Sequence, residues 1–427
     1  MRGIDDNGRS SIWRNRRFLL LWGSQTISEM GSQITILALP LVAVVLLDAS
    51  ALQVGLLAAA ETSAYLLVAL PAGAIVDRVA RRRLMIGCDL AQVLVIGSIP
   101  VAHALGVLTL AQLYAVALVS SVLSVFFQVA YQAYVPVMLA HGQLIDGNGK
   151  LAASRSVAQI AGPSTGAALV TLIGAAGAMT ADAISFVASA GLLTAIRGPE
   201  PRRSGAGRRP RMTAQIREGL AYVLRDPILR NAVAFNGTAN FFVIMVESLG
   251  TVFLIRNLQL RPGLVGLLLA LGAVGGLAGG VAARHLARRI GSARISWIAM
   301  TLLSLPGLLI PLAGRGWTVL LFACGWISWT FSSTVAGVAL TTYRQAACPP
   351  DMLGRVSAAA RWITWGTLPL GGLAGGALAS VLGIRTTLWI AVAGGCCAGL
   401  WLFFSPLRRM RDIPLAQPGP VPAAATP

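Results

Sequence analysis

Residues 51–103 read ALQVGLLAAAETSAYLLVALPAGAIVDRVARRRLMIGCDLAQVLVIGSIPVAH: an apolar run, a gap holding Arg78, Arg81, Arg82 and Arg83, then a second apolar run. Each run reaches the roughly 20 apolar residues that a helix needs to cross about 30 Å of hydrocarbon. A basic gap between two such runs marks a return to water at one membrane face. The same alternation extends in both directions and predicts twelve spans. They are 18–47, 51–76, 84–103, 108–137, 152–175 and 177–196, then 231–255, 262–283, 293–313, 317–343, 357–382 and 384–405.

Thirty of the 34 Arg and Lys residues fall in alternate gaps, leaving only Arg256, Arg261, Arg315 and Arg385 on the other side. Basic residues concentrate in cytoplasmic loops, so both termini are expected inside, in a multi-pass protein of the cell membrane. A composition of 56% hydrophobic and 11% charged residues, with a mean hydropathy of +0.73, excludes a soluble chain of 427 residues. The net charge of +19 is spread over the inner loops. That distribution matches anionic lipid headgroups and argues against nucleic acid.

The five cysteines show neither metal-ligand nor disulfide spacing, and His103, His141 and His285 are scattered. No metal and no cofactor are therefore expected. The Gly-rich stretches lack the Lys–Ser/Thr ending of a phosphate-cradling loop, and no pattern suits nucleophilic catalysis. The chain is expected not to be an enzyme.

The run GPEPRRSGAGRRPR at 198–211 breaks the chain near its midpoint. Behind it, Ile216, Leu220, Val223 and Leu224 recur at helical spacing beside Arg217 and Arg225, the pattern of a helix lying on the inner membrane surface. The expected organisation is a six-helix half over 1–197, a cytoplasmic loop with an amphipathic helix over 198–226, a second six-helix half over 227–405, and a disordered cytoplasmic tail over 406–427. The halves repeat. Gly73, Asp77, Arg78, Arg81 and Arg82 have counterparts in Gly280, Arg284, His285, Arg288 and Arg289, and Gly162-Pro163 in the fifth span has one in Leu368-Pro369. Parallel six-helix repeats place a substrate site where the halves meet.

At these residues the chain resembles the major facilitator superfamily. The stretch from Gly73 to Arg82 matches that superfamily's loop Gly-x-x-x-Asp-Arg-x-x-Arg-Arg between spans two and three. Ala38-Leu39-Pro40-Leu41, Val135-Pro136 and the stretch from Ala181 to Phe186 look like the branch of enterobactin-type siderophore exporters and macrolide-efflux permeases. The resemblance implies an all-α integral membrane fold of twelve helices in two repeats. It also implies that the Asp77 cluster latches span two to span eleven. Gly162, Pro163 and Gly166 resemble the fifth-span motif of exporting antiporters, with Ala167 where that motif usually has Gly; helix packing is the alternative reading.

Acids inside apolar runs need a reason, since an ionised group at the bilayer centre costs at least about 2.5–3.5 kcal/mol. Glu61 stands near the middle of its run, one turn before Tyr65. Glu29 lies between Gln25 and Gln33 on one stripe, and Glu247 follows Asn236 and Asn240. Ser121, Ser124, Gln128 and Tyr131 form a further stripe. Glu61 is the first candidate to carry a coupling proton, then Glu29, then Glu247. A hydrogen-bonded structural role is the alternative for each. Trp326, Trp329, Trp362 and Trp365 could wall a pocket for a bulky ligand or serve helix packing. The leading expectation is a monomeric, proton-coupled exporter of a bulky, partly apolar small molecule, a drug, antibiotic or siderophore. The alternatives are an importer of a small solute and a non-transporting membrane sensor.

Overall fold

The computed structural model describes residues 15–76, 79–139, 144–197, 212–348 and 352–412. Among these residues every regular element is helical. Helix α1 is Arg16–Leu41, started by the Asn15 side chain accepting from the Phe18 amide, and it runs on through a π-helical turn, Val42–Leu46. Helix α2 is Ala51–Leu67, opened by a reciprocal Ser50–Gln53 cap, and it resumes after an interruption at Val68 as Ala69–Val76. Then follow α3, Arg81–Ala104, and α4, Leu110–Met138. Leu144–Thr194 is two helices, α5 (144–173) and α6 (175–194), parted at Gly174 by its φ of 76°.

Past the central segment come α7, Met212–Arg225, and α8, Pro227–Val252, which continues as a π turn, Phe253–Asn257. Next is α9, Pro262–Ile290. Helix α10 begins at Ser292–Ile298 and reaches Leu312 through π and 3-10 turns, because Pro306 and Pro311 withhold amide donors. Helix α11 is Leu320–Ala347; α12 is Leu353–Gly366 and, past Thr367, Leu368–Leu382; α13 is Ile384–Ala398 with Leu400–Phe403. Ten described helices are long and apolar enough to span a membrane, one of them being the α5–α6 pair. With α2, the bundle has twelve crossings. Leu94, Leu172, Val281 and Val381, each at least 74% exposed, stud its outer surface as lipid-facing side chains do.

The repeat is written into the backbone more sharply than into the side chains. Just past the π turns of α1 and α8, the Ala49 and Leu260 amides each bond a carbonyl six residues back, Ala43 (2.9 Å) and Leu254 (3.0 Å). Positive φ recurs at Asp48 and Gln259, at Gly106 and Gly316, and at Gly174 and Gly383, offset by 211, 210 and 209 residues respectively. Asp48 and Gln259 are the non-glycine cases, and each stands two residues past its π turn.

At the Asp48 end of the bundle the two groups of helices close on each other. Gly55 on α2 faces Gly372 and Gly376 on α12, and a Cβ on Gly55 would stand 2.5 Å from the Gly372 carbonyl oxygen. Arg256 donates to Asp48 at 2.6 Å across the same end. At the opposite end α7 packs under α12, with Arg355 donating to Glu218 at 2.7 Å and Gly219 against the Arg355 carbonyl.

Candidate functional site

Between the two groups lies a cavity of about 530 Å³. Glu29 and Gln33 reach it from α1, Glu61 and Tyr65 from α2, Ser124 and Gln128 from α4, Pro163 from α5, Glu247 from α8 and Trp326 from α11. Leu37, Val54, Ile96, Val116 and Ile244 make the remaining wall largely apolar. Gln25 and Arg155 both address Glu29 Oε2, at 3.3 and 3.9 Å. Gln128 donates to the Tyr65 hydroxyl at 3.5 Å, and Tyr65 stands edge-on to Trp365, with ring centroids 4.5 Å apart.

The other expected residues lie elsewhere. Asn236 bonds the Ala232 carbonyl of its own helix, while Asn240 bonds the Thr364 carbonyl and so ties α8 to α12. Of that polar face, Glu247 alone belongs to the cavity wall. Tyr131 is buried in a stack on Phe127. Trp362 donates to the Leu66 carbonyl at 3.0 Å, joining α12 to α2. Trp329 fills a slot between Gly307 and Gly395 and is packing, whereas Trp326 has its indole N–H on the Leu269 carbonyl and its ring in the wall. Gly162 admits the Gln33 side chain and Gly166 lies against Ile34 and Leu37, so the fifth-span motif forms the α1–α5 seam, with Pro163 in the wall.

Of the loop motif, Gly73 lies in the last segment of α2, whereas Asp77 and Arg78 lie outside the described residues. Arg81 donates to the Ala133 carbonyl on α4 and Arg82 to the Thr194 carbonyl on α6, at 3.0 and 3.1 Å.

Near a span end, where structural pairing is the expectation from sequence, stands Asp182. It is 1% exposed, accepts from Thr35 on α1 and from Ser185 (3.1 Å), and belongs to the cavity wall. Asp89 on α3 is equally buried and accepts from Ser189 at 2.6 Å; Ser189 in turn meets Ser24 at 2.8 Å. Gln92 exchanges bonds with Ser120 and donates to Ser124. The spacing of Asp182, Ser185 and Ser189, three and seven residues on one helix face, was the signal available.

The wall thus contains four acids, Glu29, Glu61, Asp182 and Glu247, and no Lys, Arg or His among its described lining. Glu61 and Glu247, from opposite groups, are close enough to interact electrostatically. Carboxyl groups in such a place call for a proton or a cation as partner. With an apolar surround and an indole face beside them, they can receive a large ligand whose charge is positive.

A family model described as the Major Facilitator Superfamily matches residues 21–368. The multidrug efflux pump Tap of Mycolicibacterium fortuitum is 26% identical over 421 residues, covering 94% of this chain and 98% of its own length. Two solved structures share the fold: the nucleoside transporter NupG (TM-score 0.74, 12% identity, 91% of this chain and 99% of that one) and a bacterial homologue of the iron transporter ferroportin in its inward-facing state (TM-score 0.73, 18% identity, 92% and 99%).

Proposed function

The chain belongs to the major facilitator superfamily, and we propose that it is a proton-coupled exporter of bulky, partly apolar compounds, preferentially cationic ones, from the cell. The observation that carries this reading is the cavity wall, in which four acids and Trp326 stand in an apolar surround. Similarity to a multidrug efflux pump supports the outward direction. In this reading two six-helix halves, 1–197 and 227–405, rock about the cavity as a monomer, with 198–226 and the tail on the cytoplasmic side and anionic lipids at the basic loops. The Asp48 end is then the extracellular one, shut by the Gly55 seam and the Arg256–Asp48 pair. Glu61 exchanges its proton for substrate, with Glu247 opposite and Glu29 nearer Arg155.

The test is export of labelled lipophilic cations, neutral macrocycles and siderophores from cells with and without the gene, at two external pH values. Faster gene-dependent export of the cations at the lower external pH is the expected outcome. Gene-dependent accumulation, or export indifferent to pH, would overturn the direction or the coupling. Asn257→Cys should react with an impermeant reagent in intact cells and Arg225→Cys only in inside-out vesicles; the reverse would invert the orientation.

A further inference from the structure

Beside the main cavity, α1, α3, α4 and α6 line a second pocket of about 50 Å³, walled by polar side chains that include Gln25, Ser28, Glu29, Asp89 and Ser124. Its unusual property is an excess of acceptors. Ser189, which donates to Asp89 Oδ2, is not part of this wall, whereas Asp89 is, and Asp89 Oδ1 is buried with no hydrogen-bond partner among the described residues. Gln25 Oε1 is in the same position, because its Nε2 is turned toward Glu29. The Gln92 amide is committed to the Ser120 carbonyl and the Ser124 hydroxyl. No Lys, Arg or His contributes to the described wall.

The geometry points to a sodium site in this pocket, held by Asp89 Oδ1 and Gln25 Oε1 with serine hydroxyls of α1 and α4. A water bridging the two oxygens would supply donors but leave a carboxylate uncompensated inside the bilayer. A small hard cation satisfies both oxygens and the charge together, and hard cations take oxygen ligands. About 10–15 Å³ of accessible space holds one water, so the pocket has room for an ion that keeps one or two waters.

The charges around it select a monovalent ion. The titratable and charged groups facing the site are Glu29 on α1, Cys88 on α3 beside Asp89 itself, and Asp182 on α6, which lies within electrostatic range of Asp89. The described wall contributed by α4 has no titratable group. Arg155 on α5 stands 3.9 Å from Glu29 and offsets its charge, while Thr35 and Ser185 hold Asp182 on the cavity side. One carboxylate thus remains for the pocket. Glu29 belongs to both pockets, so occupancy of the small one is felt in the large one. The site does not depend on the proton-coupled exporter reading, and its test needs no substrate.

The experiment is thermal unfolding of the purified full chain in lipid nanodiscs, with NaCl, KCl or choline chloride titrated at constant ionic strength. A saturating rise in Tm specific to sodium is expected, since a ligand that binds the folded state alone stabilises it by mass action. Lowering the pH should move the sodium midpoint upward, because protons compete at Asp89. Asp89→Asn should abolish the sodium response and Asp182→Asn should keep it. Gln25→Leu, which leaves the carboxylate in place, should raise the midpoint at least about tenfold, one ligand's share of affinity, and decides the matter if Asp89→Asn does not insert. Equal responses to the three salts, or a sodium response unchanged in both Asp89→Asn and Gln25→Leu, would overturn the site. A Tm that follows pH but not sodium would do the same, assigning the pocket to a proton or to water.

Discussion

Helices α1–α6 and α8–α13 share a backbone but not an interior. Each group ends its first crossing in a π turn followed by a positive-φ residue and turns at a positive-φ glycine before its fourth and sixth crossings. Inside the first group, Asp89 and Asp182 are buried among serines, Thr35 and Gln92, while Glu29 and Glu61 reach the cavity. The second group sends Glu247 alone among acids to the cavity, and its core is closed by Trp329 against glycines. Duplicated geometry therefore fixes where helices turn. The polar chemistry is free to collect on one side, because the cavity needs its carboxyl groups only somewhere on its wall.

The sharpest way to break this asymmetry is to neutralise the paired acids one at a time. Glu61→Gln should bind substrate yet lose transport driven by an imposed pH gradient, down to background in proteoliposomes. Glu247→Gln should retain a measurable part of it. Equal and complete loss in both would mean that the groups share the coupling, and survival in both would move it elsewhere.

Next in size is the seam where the groups touch. Gly55→Leu cannot be housed against the Gly372 carbonyl, so the Asp48 end should remain open and most transport be lost. Labelling of a cysteine at Gln53 by an impermeant reagent reads the opening. Unchanged labelling and transport would show that the seam yields.

Trp329→Ala should cost about 3–5 kcal/mol of stability, as deletion of a buried Trp does, and leave substrate preference intact. Trp326→Ala should instead weaken binding of cationic ligands with a smaller loss of stability. Thermal unfolding and ligand titration on the same samples separate the two, and a change of preference in Trp329→Ala would mean that the second group's packing core is part of the binding wall. The smallest effect belongs to Asp48→Asn. Its carboxylate is 96% exposed, and exposed pairs contribute about 0.2–1 kcal/mol, so transport should stay within about fivefold of wild type. A larger change would make the pair, and not the glycine seam, the principal closure between the groups.

Much of this was legible from the amino-acid sequence because hydrocarbon imposes length. Runs of some 20 apolar residues and their basic gaps located the crossings, and the Gly174 turn falls one residue before the expected 175 boundary. The stripe of Gln25, Glu29 and Gln33 was readable because four residues nearly complete a helical turn. Rotation about the axis was not readable to the same degree. Trp326 and Trp329 lie three residues apart on one side of α11, and only contacts with Gly307 and Gly395 decide that the second is packing. Asp182 looked like a span-end acid, and its place in the cavity wall depends on Thr35, which is 147 residues away in the chain. Spacing along one helix carries no record of which neighbour it will face.

The interruptions in α2 at Val68 and in α12 at Thr367 lie on two helices that meet across the groups, each shortly before a proline, Pro71 and Pro369. Proline at these points withholds a ladder bond and softens the rod locally. The segments on the Asp48 side are stitched by Gly55, Gly372 and Gly376, and Trp362 in the other segment of α12 donates to Leu66, near the end of the Asp48-side segment of α2. Each helix is therefore a jointed lever instead of a stiff beam. In the exporter proposed above, the arm of α2 beyond Val68 would swing while the Gly55 seam stays clasped, widening the inner mouth for bulkier cargo without unsealing the far side.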